Sequence, residues 1–113
     1  MLKKSLSSVK VFYPPYSRDE VIEQIRTGAK KLNVILSLQK VILFGSYAGN
    51  RHTVASDIDL LVVYRGTTRQ DAYSLVRKHI PLPRLEPHVY SEEEYRRLEE
   101  NIKRMVAKGV VII

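Results

Sequence analysis

The stretch GSYAGNRHTVASDIDLLVV, residues 45–63, decides how this chain is read. The run before it, Lys40–Phe44 (KVILF), is short, β-branched and aromatic, and stops at a glycine. That pattern predicts a buried strand. Asp57–Tyr64 (DIDLLVVY) predicts a second strand, apolar on both faces from Ile58 onward except at Asp59. Such a strand belongs in the middle of a sheet covered on both sides. Between them, residues 45–56 read as a loop with room for one helical turn.

In a strand, residues two apart share a face, so Asp57 and Asp59 project together. Two carboxylates so close repel each other unless a cation lies between them. Hard oxygen donors, with no cysteine in the chain, suit Mg²⁺ or Mn²⁺. Gly45 lets backbone come close to a phosphate, and the nearby N–H groups and the Ser46 hydroxyl can bind it. A strand, a phosphate-holding turn, a loop and a strand with paired carboxylates form a layout for metal-assisted phosphoryl or nucleotidyl chemistry.

The flanks supply the other elements. Ser17 and Glu20 form a capping box, and Val21, Ile25, Leu32 and Leu36 recur near the helical period. A helix is expected over Arg18–Ser37, weakened by Gly28. After Gly66, Thr67 or Thr68 can cap a helix running to His79. Leu85–Tyr90 (LEPHVY) predicts a third strand, which Pro87 confines to an edge or a bulge. Ser91 and Glu94 form a second capping box. The helix behind it carries Tyr95, Leu98, Ile102, Met105 and Val106 on one stripe. Gly109 stops that helix, and Val110–Ile113 can form a last short strand. The order α-β-β-α-β-α-β predicts an α/β (α+β) fold, a small mixed sheet flanked by helices. Residues 1–16 read as an irregular segment with a short strand at Val9–Tyr13, and residues 17–113 as one domain.

Composition bounds the function. The chain has 113 residues, 44% apolar and 27% charged, enough for one modest core. Its longest apolar run, Leu60–Tyr64, is far short of the ~20 residues a membrane helix needs. The absence of cysteine excludes disulfides, zinc ribbons and thiol catalysis. A cytoplasmic location is expected. The net charge of +7 favours anionic partners. Most of that excess lies on the flanking segments, where Lys30-Lys31, Arg96-Arg97 and Lys103-Arg104 read as solvated helix faces. Tyr47 and Tyr64 read as packing residues, and His52 and His79 as surface or helix-end residues.

Residues 45–63 fit the pattern Gly-Ser-x10-Asp-x-Asp and resemble the minimal nucleotidyltransferase (MNT) family of the DNA polymerase β superfamily. The likeness in coarse element order extends over most of residues 17–107. It implies the nucleotidyltransferase fold, ATP as substrate and Mg²⁺ or Mn²⁺ as cofactor. It implies that Asp57 and Asp59 hold the metal and that Gly45 and Ser46 hold the β- and γ-phosphates. The family has an arginine shortly after Gly-Ser-Tyr-Ala; here Arg51, behind Gly49-Asn50, is the candidate for that phosphate-binding place. The family's third carboxylate falls by placement on Glu86, with His88, two residues on, as the competing candidate. The resemblance also implies a setting. Such proteins pair, as antitoxins, with an all-helical RNase toxin of the HEPN type, and some transfer AMP to a toxin tyrosine. The alternatives are an antitoxin that neutralises a helical partner by contact alone, and a basic nucleic-acid-binding module. The low aromatic content, 8%, disfavours the last as a direct role. A chain this short leaves one side of the site open, so a helical partner or a second copy is expected to close it.

Overall fold

The computed structural model describes residues 16–113. The Val9–Tyr13 strand expectation lies outside the described residues. The elements are α1 (Arg18–Ile35), β1 (Leu38–Phe44), β2 (Ile58–Tyr64), α2 (Ala72–His79), β3 (Leu85–Ser91), α3 (Glu92–Met105) and β4 (Val110–Val111). The four strands form one sheet in the order β3-β2-β1-β4. β1 is antiparallel to both β2 and β4, while β2 and β3 are parallel. Among the described residues no helix is long and apolar enough to cross a membrane.

Each face of the sheet buries the alternate residues of its strands. Val41, Leu43, Ile58, Leu60, Val62 and Tyr64 pack under α1 and α2 with Val21, Ile25, Leu32 and Val76. Ile42, Phe44, Leu61 and Val63 pack under α3 with Tyr95 and Ile102. This is the two-sided cover that the apolar run of β2 requires. Each fully buried aliphatic side chain contributes about 1.5–3 kcal/mol of transfer free energy, so β2 anchors the domain. β3 is an edge strand, which suits Pro87, a residue with no N–H to give to a further neighbour.

Both capping boxes form. The Ser17 hydroxyl accepts from the Glu20 amide, and the Ser91 hydroxyl from the Glu94 amide. α1 ends two residues earlier than expected, because the Asn33 side-chain oxygen captures the Leu38 amide at 2.7 Å and starts β1. Gly28 is no weak point. It lies where the His79 backbone carbonyl closes on α1, and a Cβ there would overlap that carbonyl. The cap of α2 is Asp71, not Thr67 or Thr68, and its side chain makes no cap hydrogen bond. The Thr68 hydroxyl instead meets the Ser91 hydroxyl at 3.1 Å, and the Arg69 amide donates to the Tyr64 hydroxyl. The helix therefore starts a few residues later. On α3 the line of contact is Tyr95 and Ile102, while Leu98 and Met105 are exposed. At about 100° per residue those two lie roughly 60–80° round the helix from that line.

Candidate functional site

Gly45, Ser46, Asp57, Asp59 and Glu86 gather at one end of the sheet, and His88 reaches Asp59 from farther along β3. β1 finishes there, and β2 and β3 begin there. Phe44 is the register partner of Asp59, and Asp59 is the register partner of Glu86. One row therefore runs Phe44, Asp59, Glu86 across three strands, on the face that carries α3.

Gly45 turns the chain out of β1 with φ 79°, in the left-handed region. The Asp59 carboxylate lies directly against it, and a Cβ on Gly45 would overlap Asp59 Oδ2. The loop then makes one helical turn, as expected. The Gly49 amide donates to the Gly45 carbonyl and the Arg51 amide to the Ser46 carbonyl. Tyr47 is buried in the core and stacks on His52, with ring centroids 3.9 Å apart. Burial raises the Tyr47 hydroxyl above its ordinary pKa. His52 is thus no surface residue: it is half-buried under Tyr47. The Arg51 guanidinium folds back over Gly49 in the same loop.

Asp57 stands just before β2, about half exposed, and its carboxylate meets the Arg84 guanidinium at 3.0 Å. Arg84 also donates to the carbonyls of Ala55, at 2.6 Å, and Ser56, at 3.1 Å. One side chain thus clamps the three residues that lead into β2. The sequence reading missed Arg84. Its place follows from the parallel register, in which Ile58 pairs with Leu85, so that the preceding residues are also neighbours. Nothing in the chain order announces that pairing.

Asp59 is about one-third exposed, and His88 Nε2 approaches its Oδ1 at 3.9 Å. His88 also packs against the Phe44 ring, with centroids 5.2 Å apart. Burial is the main cause that raises the Asp59 carboxyl above its ordinary pKa. His88 works against it, and the charges of Asp57 and Glu86 add to it. Each of the three carboxylates therefore lies within electrostatic reach of the row. Glu86 is exposed, and its carboxylate makes no hydrogen bond among the described residues. Among those residues no three His, Asp or Glu side chains already stand together as a metal-ligand set. Asp57 faces its arginine, and Glu86 faces solvent.

Residues 22–112 match the nucleotidyltransferase domain family, and the chain belongs to that family. Its fold is the nucleotidyltransferase fold, and membership places it among the transferases. Among solved structures, a candidate nucleotidyltransferase from Sulfolobus solfataricus is similar in fold, with a TM-score of 0.58 and 21% identity. The match covers 83% of this chain and 80% of that one. No curated protein matches.

Proposed function

We propose that the protein transfers AMP from ATP to a hydroxyl acceptor, with a divalent cation held by Asp57, Asp59 and Glu86. The observation that carries this is the row Phe44-Asp59-Glu86 beside Gly45, which sets carboxylates against a glycine turn that lets backbone approach a phosphate. Three hard oxygen donors whose charges already oppose one another fit Mg²⁺ or Mn²⁺. Binding there requires Asp57 to exchange Arg84 for the cation. When bound, the ion supplies charge stabilisation to the reacting phosphate and to the leaving oxygen.

The chain's own residues do the rest. Gly45 and Ser46 hold the β- and γ-phosphates and aim the α-phosphorus at the row. Glu86 orients the acceptor hydroxyl and takes its proton. The acceptor oxygen forms its bond to the α-phosphorus as the bond from that phosphorus to the bridging oxygen breaks, and pyrophosphate leaves with the electron pair. Arg84 positions Asp57 by holding the two carbonyls before it.

The acceptor in this proposal is a tyrosine of an all-helical HEPN-type partner, and the protein acts as its antitoxin. The exposed Glu86 and half-exposed Asp57 support an acceptor brought by another chain. An open site excludes water and orients an acceptor poorly, so a partner that completes the wall accelerates transfer. The test is transfer from ATP labelled at the α- or the γ-phosphate, with Mg²⁺, with and without an all-helical HEPN-type protein from a neighbouring reading frame, where one is encoded. The expected label comes from the α-phosphate, ends on a partner tyrosine, and appears far faster than on small hydroxyl compounds. Label from the γ-phosphate, or none, refutes the proposal.

The Asp57–Arg84 ion pair favours one other reading, an antitoxin that works by contact with its carboxylates idle. In that case the double variant Asp57→Asn/Asp59→Asn neutralises the partner at the same stoichiometry as the parent.

Glu86 and His88 are separated by a paired substitution. Glu86→Gln is expected to lower the transfer rate at least ~100-fold while ATP affinity changes less than ~3-fold, the pattern of an interaction made in the transition state. His88→Ala is expected to cost ~10-fold or less, through the lost contact with Asp59. The reverse order moves the third functional group to His88.

A further inference from the structure

A cleft of about 300 Å³ opens beside Gly45, between the loop that follows β1 and the turn that follows α3. Phe44 and Gly45 form the wall nearest Asp59, Gly49 and Arg51 line the loop side, and Arg104 and Lys108 line the α3 side. Three cations and no carboxylate line it. None of the three is ion-paired among the described residues.

The rest of α3 makes that pattern informative. Arg96 pairs with Glu92 at 3.0 Å, and Lys103 with Glu99 at 2.9 Å, each four residues back. Glu100 stands at the same spacing before Arg104, yet Arg104 donates instead to the Asn101 side-chain oxygen, at 2.6 Å. One of its five donors is used there. Converging cations in a concave wall repel one another and focus a positive potential into the cleft. An anion relieves both effects.

We propose that this cleft takes the polyphosphate tail of a nucleoside triphosphate, with Arg104 and Lys108 joining Arg51 on the two phosphates that leave as pyrophosphate. The proposal rests on the nucleotidyl-transfer reading and adds to it two residues from a part of the chain outside the Gly-Ser and Asp-x-Asp segments. The cleft is at the small end of ligand sites, room for a phosphate chain but not for a whole nucleotide. Its Phe44–Gly45 wall adjoins Asp59, so a chain of phosphates entering it keeps the α-phosphorus at the carboxylate row. As the bond to the α-phosphorus breaks, the electron pair passes to the β-phosphate oxygen. The Arg104 fork and the Lys108 ammonium stabilise the charge that grows there.

Calorimetric titration of the full chain with sodium tripolyphosphate, ATP and AMP tests this. Arg104→Gln/Lys108→Gln is expected to weaken tripolyphosphate and ATP about 100-fold, roughly tenfold per cation, and to leave AMP unchanged. Lys30→Gln/Lys78→Gln removes the same net charge from exposed positions on α1 and α2 and is expected to stay within ~3-fold of the parent. If the Arg104/Lys108 variant binds tripolyphosphate as the parent does, the cleft assignment is overturned. If the parent binds ATP and transfers its α-phosphate but ignores tripolyphosphate, the cleft assignment fails while the transfer reading stands. Tripolyphosphate bound through these two cations, with no α-phosphate transfer, supports the cleft and overturns the transfer reading. A parent that binds neither anion overturns both.

Discussion

Asp57→Asn and Asp59→Asn are each expected to lower nucleotidyl transfer by at least ~10²–10³-fold with the fold intact, a loss of about 3–4 kcal/mol of transition-state stabilisation. The amide keeps the shape of the side chain and removes the charge proposed to hold the cation. Their effects on stability differ. Asp59 is the partly buried carboxylate of the row, and its burial, reinforced by Asp57 and Glu86, raises its carboxyl. The folded protein thus binds that proton more tightly than the unfolded chain. Its contribution to stability falls as pH rises from the ordinary carboxylate value through the folded one, and stays low above it. Asp59→Asn removes this penalty, so its melting temperature exceeds the parent's at neutral pH, and the gain fades as the parent's carboxyl becomes protonated in acid. Asp71, held low by Arg69, has the opposite slope in both proteins, so the difference between variant and parent is the quantity to read. Asp57→Asn loses only a half-exposed ion pair, worth ~1 kcal/mol or less. Mg²⁺ is expected to raise the parent's melting temperature and to leave that of Asp59→Asn unmoved. Calorimetric scans from about pH 3 to pH 8, with and without Mg²⁺, check all three statements. Normal transfer by either variant removes the carboxylates from the chemistry.

The parts of this molecule legible in the sequence are those fixed by local rules. The run Leu60–Tyr64 can be buried on both faces only in a central strand, and β2 is central. Pro87 belongs on an edge, and β3 is an edge. Ser17 with Glu20, and Ser91 with Glu94, mark helix starts because each pair satisfies two amides that no helix can satisfy itself. Asp57 and Asp59 are two apart in sequence, which alone puts both at the start of β2, with Asp57 just before the strand and turned to Arg84. What escaped depends on pairing between distant segments. The start of α2 is set by Tyr64 and Ser91, which draw Arg69 and Thr68 into the loop before it. Arg84 reaches Asp57 only because β3 joins β2 in parallel. Arg104 has the look of a solvated helix cation, with a glutamate four residues before it. Only the return of the chain past Gly109 shows that it faces the loop after β1.

Gly45→Ala joins fold and site in one substitution. A side chain at φ 79° costs about 1–2 kcal/mol of backbone strain. The new methyl would also occupy the place of Asp59 Oδ2, with Asp59 Cγ and Cβ only 3.2 and 3.3 Å away. β2 is hydrogen-bonded on both sides and buried, so its backbone cannot give way. The carboxylate must rotate off the turn. Gly66 isolates the first cost from the second. Its φ of 91° is equally left-handed, and a Cβ there meets nothing within 4 Å. Gly66→Ala is therefore expected to lose about 1–2 kcal/mol, seen as a melting temperature lower by some 4–8 °C per kcal/mol, with transfer unchanged. Gly45→Ala is expected to lose at least as much stability and, in addition, about 100-fold in transfer, because small displacements of a positioned group carry penalties of that order. Comparison of the two variants by thermal melting and α-labelled ATP transfer separates strain from displacement. Equal activity in Gly45→Ala and Gly66→Ala would show that the contact between Asp59 and the turn has no part in the chemistry, and the glycine would then serve the backbone alone.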